Sequence, residues 1–106
     1  RYSTGCLKNC PSKERPLKYS TRICIFRLST RGIRVNAVSA GVVDTDALRF
    51  FPNRESLLSS FAERAPAGTV LTAEDVAGAV YLLCLPEAAM VTGHTLVVDG
   101  GFCIAG

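Results

Sequence analysis

An α/β fold is predicted by three features of the sequence. Residues 33–38 and 95–98 are rich in β-branched side chains and read as strands, the first by its alternation of Ile33, Val35 and Ala37 against Arg34, Asn36 and Val38. Between them lie helical patterns with recognisable start and stop signals. Each strand then runs into small residues, Ser39-Ala40-Gly41 and Asp99-Gly100-Gly101, which turn the chain where larger side chains would obstruct it.

The elements follow in order. In residues 1–30, Pro11 and Pro16 oppose a long helix, and only Ile23-Cys24-Ile25-Phe26 is apolar enough to suggest a short strand. After the strand at 33–38, an Asp/Thr start and Ala47, Leu48, Phe50 and Phe51 predict a short helix over 45–51, stopped by Pro52. Asn53 is placed to cap a second helix running to Ala65, with Glu55 in its first turn and Leu57, Leu58, Phe61 and Ala62 on one face. The clearest helix begins at Thr72, whose hydroxyl can accept from a first-turn amide while Glu74 and Asp75 favour the positive end. Val76, Val80, Leu83 and Cys84 give it an apolar face, and Pro86 closes it. The strand over 95–98 comes last.

Length bounds the answer further. The chain has 106 residues, whereas a single βαβ unit takes about 30 and a complete doubly wound fold needs several. Together with Arg1 in place of an initiating Met, this predicts a piece of a longer chain. No apolar run approaches the ~18 residues of a membrane span, and there is no signal-peptide pattern, so a soluble, cytoplasmic protein is expected.

The net charge of +3 hides an asymmetry. Residues 1–34 hold nine Lys/Arg against Glu14, a balance of +8, and residues 35–106 hold three Arg against eight acids, a balance of −5. A basic segment over 1–30 is thereby set apart from 31–106. Such a segment suits a nucleic-acid or acidic-membrane arm, or an Arg-rich leader. The five cysteines, Cys6, Cys10, Cys24, Cys84 and Cys103, form an odd count without C-x-x-C spacing, which favours free thiols in a reducing compartment. A zinc site from Cys6, Cys10, Cys24 and His94 matches no common module, and no metal is expected.

Val91-Thr92-Gly93-His94-Thr95-Leu96-Val97-Val98-Asp99-Gly100-Gly101, with Gly32-Ile33-Arg34-Val35-Asn36-Ala37-Val38 upstream, resembles the last two strands of the short-chain dehydrogenase/reductase family. The resemblance implies the C-terminal portion of a Rossmann-like doubly wound parallel sheet, its glycine-rich N-terminal half absent. Residues 40–45 resemble the family's cofactor-facing loop, with Ala40-Gly41 standing where the family has Pro-Gly. On that likeness Ala40, Gly41, Val43 and Thr45 bind the cofactor, Val43 through its backbone to the nicotinamide carboxamide and Thr45 through its hydroxyl. Ligands of open α/β sheets do bind beyond the carboxyl ends of strands. The plain alternative is a strand-turn-helix with Thr45 as an N-cap.

Residues 44–55 are similar to a segment of the type III NADPH-dependent enoyl-acyl-carrier-protein reductases, in which two helices form a mobile substrate lid. The likeness implies that Leu48, Phe50 and Phe51 line an acyl-chain channel, with Leu57 and Phe61 nearby; packing of two amphipathic helices is the alternative, more so for Leu57 and Phe61. The family's catalytic pair is a Tyr acid and a Lys that lowers its pKa and holds the ribose. Tyr2 and Lys8 are the residues available, yet five residues separate them where enoyl reductases have six, a spacing that points them apart on a helix. A change of reading frame over residues 5–26 accounts for this: the codons of residues 5–11, read one base later, can spell a small residue and then Val-Ser-Lys-Thr-Ala-Leu, similar to the family's catalytic helix. A genuine basic arm is the competing account. His94 stands where the family often has Gln and is expected to make a loop or interface contact.

The function implied is reduction of an enoyl thioester on acyl carrier protein in fatty-acid biosynthesis, with NADPH as cofactor and NADH as the other option, by a homo-oligomer without membrane or nucleic-acid partners. The alternatives are a 3-oxoacyl or alcohol dehydrogenase of the same family, and a non-catalytic fragment that only oligomerises or binds through its basic arm. Alone, the chain is expected to be marginally stable, because two strands do not make an independent sheet.

Overall fold

The computed structural model of the chain describes residues 19–105. Its first element is a helix, α1 (Tyr19–Ser29), and not the strand expected at 23–26. A four-residue apolar run has the same appearance in either conformation, and the signal that settles it lies downstream. Gly32 takes φ +74°, its N–H donates to the Ser29 carbonyl at 3.0 Å, and the Ile33 N–H donates to the Leu28 carbonyl at 3.0 Å. Those two bonds make a helix-terminating Schellman motif with Gly32 in the left-handed position.

That motif also displaces the first strand. Ile33 is engaged by α1 and the Val35 N–H donates to Thr92 Oγ1, so β1 spans Ala37–Ala40 rather than 33–38. Ser39 and Ala40 extend the strand, and the turn begins at Gly41. β2 (Thr95–Val98) falls where the sequence places it. The two pair in parallel, Ala37 opposite Thr95 through Ala40 opposite Val98, and the Gly41 N–H adds a bond to the Val98 carbonyl at 2.9 Å. A parallel pair needs a long crossover, which here holds the remaining helices.

The expected helix over 45–51 is a short 3-10 turn, Asp46–Phe50. Its tight winding follows from the stop at Pro52, which leaves room for little more than one turn. α2 (Arg54–Arg64) follows. Asn53 occupies the cap position, but its side chain makes no capping bond: at ψ 29° the backbone enters from the preceding turn instead of from extended chain. α3 (Ala73–Cys84) carries the full reciprocal cap, with the Asp75 N–H donating to Thr72 Oγ1 at 3.3 Å and the Thr72 N–H donating to Asp75 Oδ2 at 2.8 Å. The Thr72 N–H, and after it the Thr72 hydroxyl donating to the same Oδ2 at 2.9 Å, hold the Asp75 carboxyl below its usual pKa. The buried residue of α3 is Ala79, with Val76 and Leu83 half-buried; Val80 and Cys84, expected on that face, are exposed. A small residue makes the closest approach to the sheet because it lets the backbone come near.

Arg34 and Asn36 tie the end of α3 to the approach to β2. Arg34 Nη1 donates to the Leu83 carbonyl at 2.7 Å and to the Val91 carbonyl at 3.3 Å. Asn36 Nδ2 donates to the same Val91 carbonyl at 2.8 Å and its Oδ1 accepts from the His94 N–H. The core lies where the strands end: Phe61, Ala65 and Leu71 are buried, with Val42, Val43, Val98 and Phe102 packed against them. Among the described residues no helix is long and apolar enough to cross a membrane.

Candidate active site

The loop that leaves β1 is held from both sides. Gly41 bonds back to Val98, and a parallel bridge joins Val43 to Leu71, with the Asp44 N–H donating to the Leu71 carbonyl at 2.9 Å. Gly41 is required here by packing. A Cβ at this position would lie 2.8 Å from Cε2 and Cζ of Phe61 and 3.2 Å from Cβ of Asp99, closer than a carbon can approach an aromatic ring. The space that the missing side chain leaves is filled by the Phe61 ring from α2, and the exposed mouth of the loop lies at Ala40 and Thr45.

That mouth presents Ala40 at the end of β1 and Thr45, both exposed. Thr45 has extended backbone at the head of the 3-10 turn; its carbonyl accepts from the Leu48 N–H at 3.0 Å, while its hydroxyl makes no capping bond. Val43 is half-buried and faces the core. The structure thus brings Ala40, Gly41, Val43 and Thr45 into one loop beyond the carboxyl ends of the strands.

Leu48 is half-buried, whereas Phe50 is 88 % and Phe51 59 % exposed. Two large aromatic side chains are thus exposed a few residues beyond Thr45. Leu57 is largely exposed and Phe61 is 2 % exposed, so of the two only Phe61 is core. Its ring stacks on Phe102 with centroids 4.9 Å apart, and the Arg64 guanidinium lies over the other partner, 4.7 Å from the Phe102 centroid. Tyr2 and Lys8 lie outside the described residues, as do Cys6 and Cys10.

Two charged residues emerge that the sequence pattern did not single out. Arg54, the first residue of α2, donates from Nη2 to Asp44 Oδ1 at 2.6 Å. That hydrogen bond and then the Asp44 charge push the guanidinium pKa above its ordinary value. Its Nε is shielded from solvent without a hydrogen-bond partner among the described residues. No periodicity relates positions ten apart across a turn, so the pair was invisible in the sequence. Asp99, read only as part of a turn, is buried and accepts from the Gly101 N–H at 2.9 Å and the Cys103 N–H at 2.8 Å. Burial raises its pKa, and hydrogen bonds from the Cys103 thiol and from the amides of Cys103, Gly101 and Phe102 outweigh it, leaving the carboxyl below its usual value. The turn is one only glycine makes readily, with Gly100 and Gly101 at φ +60° and +87°.

Cys24 and Cys84 are exposed and Cys103 is buried. Among the described residues, no three His, Cys, Asp or Glu side chains are grouped to hold a metal ion. His94 is exposed and makes its contact to Asn36 through the backbone.

A parallel strand pair with a held loop beyond its carboxyl ends, and helices in the crossover, defines the ligand-binding end of a Rossmann-like α/β domain. The enoyl-(acyl carrier protein) reductase family profile matches residues 12–103, and the chain belongs to this family of short-chain dehydrogenases/reductases. It is 39% identical over 103 residues to the enoyl-acyl-carrier-protein reductase (NADH) FabI of Haemophilus influenzae, covering 97% of this chain and 37% of that protein. It is 41% identical over 75 residues to 1-cyclohexenylcarbonyl-CoA reductase of Streptomyces collinus, covering 69% of this chain and 27% of the relative. Among solved structures, the Bacillus cereus enoyl-acyl carrier protein reductase with NADP+ and indole naphthyridinone superposes with a TM-score of 0.76 at 36% identity, over 85% of this chain and 35% of that one. The chain therefore spans about a third of the length of relatives it matches.

Proposed function

We propose that the chain is the C-terminal portion of a nicotinamide-dependent reductase of enoyl thioesters carried on acyl carrier protein. The observation that carries this reading is the juxtaposition, in a chain of this family, of the loop at Ala40–Thr45 with the exposed apolar residues Phe50 and Phe51. One offers a ligand-facing turn at the end of a strand; the other offers an apolar surface suited to an acyl chain.

The residues present fit one end of a nicotinamide cofactor. Thr45 keeps a hydroxyl without a capping bond at the mouth, and Gly41 and Val43 are fixed behind it by Phe61 and Leu71. The cofactor, when bound, supplies a hydride to the β-carbon of the enoyl group. Val43 and Thr45 would orient it through the backbone and the hydroxyl. Leu48, Phe50 and Phe51 would cover the acyl chain and keep water from the double bond. Tyr2, assisted by Lys8, would donate a proton toward the enolate oxygen.

NADPH is our preferred cofactor, supported by the NADP+ in the Bacillus cereus relative; the NADH named for the Haemophilus influenzae relative keeps the other option open. A cytoplasmic homo-oligomer, of the type III branch, fits the same reading.

The test uses the protein extended through its upstream coding sequence. Cofactor oxidation is followed with an enoyl thioester and, separately, with a 3-oxoacyl thioester. Oxidation with the enoyl substrate is expected; turnover of the 3-oxoacyl substrate alone would replace this function with that of a ketoreductase of the same family. Resequencing across codons 1–34 decides the Tyr2/Lys8 assignment. A corrected frame with Lys seven positions after Tyr supports it, and the frame as written removes the pair.

A further inference from the structure

We infer that the Asp44–Arg54 ion pair is a latch across the base of the substrate-facing loop, and that both are positioning residues for the acyl group. The inference rests on the reading of residues 46–51 as the part that meets the acyl chain. The geometry that carries it is a difference in attachment. Asp44 is pinned by its amide to Leu71, and α2, which Arg54 begins, is fastened at its other end by Phe61 under Gly41 and against Phe102. α2 cannot swing as a body without withdrawing the Phe61 ring from the core. Movement is left to residues 45–53, which leave the fold at Asp44 and rejoin it through the first turn of α2, where the Arg54 N–H donates to the Phe51 carbonyl at 3.3 Å and the Leu57 N–H to the Asn53 carbonyl at 2.9 Å.

Within that loop Phe50 and Phe51 face solvent, and the ion pair between Asp46 and Arg49, at 3.0 Å, lies wholly inside it and ties it to nothing else. Among the described residues, the side-chain bond that joins its two ends is Arg54 Nη2 to Asp44 Oδ1. Closing this latch makes one short charge-assisted bond, yet leaves the Arg54 Nε–H shielded without a partner. An ion pair this exposed holds the loop ends together without locking them. With the latch closed the loop ends are held together and Phe50 and Phe51 are presented beside Thr45. When it opens, the same residues can move apart to admit a longer chain.

The experiment uses the full protein, extended upstream, with Asp44→Asn, Arg54→Gln, and the charge exchange Asp44→Arg/Arg54→Asp. Each single change is expected to raise KM for a long-chain enoyl thioester about two- to fivefold, the scale of a partly exposed ion pair. kcat, the KM for the nicotinamide cofactor and the thermal midpoint should stay near wild type. Tryptic cleavage after Arg49 should accelerate in Asp44→Asn, and the exchange should restore both readouts. An unchanged thioester KM with unchanged cleavage would overturn the latch, as would a change in cofactor KM instead. Absence of enoyl reduction by the wild-type protein would defeat the functional reading on its own, while the proteolysis arm would still decide whether the latch exists.

Discussion

Phe61, Ala65 and Leu71 are buried at the carboxyl ends of the strands, with Val42, Val43, Val98 and Phe102 packed against them. Around α1 and α3 the opposite holds: Phe26, Val80, Tyr81, Leu82 and Met90 are large, apolar and exposed. The difference teaches that the small core under the loop is closed locally, by a helix and a turn close to it in space, although Phe50 and Phe51 beyond it stay exposed. The helical side has apolar surface that its own residues do not cover, in a chain about a third as long as its relatives. Hydrophobic surface left in water contributes nothing to stability and invites association.

The comparison is broken most strongly by Phe61→Ala. Loss of the ring removes the stack on Phe102 and opens a cavity beneath Gly41, at a cost of about 3–5 kcal/mol; denaturant titration should find cooperative unfolding lost or its midpoint sharply lowered. Gly41→Ala attacks the same contact from the other side and should cost about 1–3 kcal/mol by overpacking. Combined with Phe61→Leu it should cost less than the sum of the two single changes, and strict additivity in a double-mutant cycle would show that the two groups do not meet.

The pH response of Asp99 is a smaller lever. Its folded pKa is depressed, so the unfolded chain binds its proton more readily and folding is favoured while the group is ionised. That contribution is present above the unfolded value of ~3.9 and is lost as pH falls through the lower folded value. Melting midpoints measured downward from pH 5 should decline less steeply in Asp99→Asn than in the parent. At the small end, Val80→Ser should change the stability of this chain by no more than about 0.5 kcal/mol. A loss of several kcal/mol there would mean that the α3 face is already covered, and the contrast between the two regions would fall.

The sequence was most informative where local chemistry decides the outcome. The Thr72/Asp75 cap and the glycine turn after Asp99 need no distant partner, and they appear as read, as does the β-branched strand at 95–98. Expectation failed where the deciding atom was elsewhere. The run at 23–26 became helix because Gly32 closes a Schellman motif after it, and β1 moved to Ala37–Ala40 because Thr92 and α1 occupy the amides before it. At Gly41 the sequence suggests a close backbone approach to a cofactor, while the packing that a Cβ there would meet, the Phe61 ring, comes from twenty residues away and has no local signal. The Asp44–Arg54 pair had no sequence signal at all, since it depends on a loop returning to its starting point.

The parallel register has a consequence for how the chain is made. Asn36 and His94, which grip each other at the start of the strand pair, are 58 positions apart. Contacts at such separation must be found after a large loss of chain freedom, and they form late in folding. On the ribosome, β1 emerges more than fifty residues before β2 exists to pair with it. α3, with its self-contained cap, can form in that interval; the sheet cannot. During synthesis the pairing of β1 with β2 therefore waits for residues 95–98, while local turns and helices between them can already be in place.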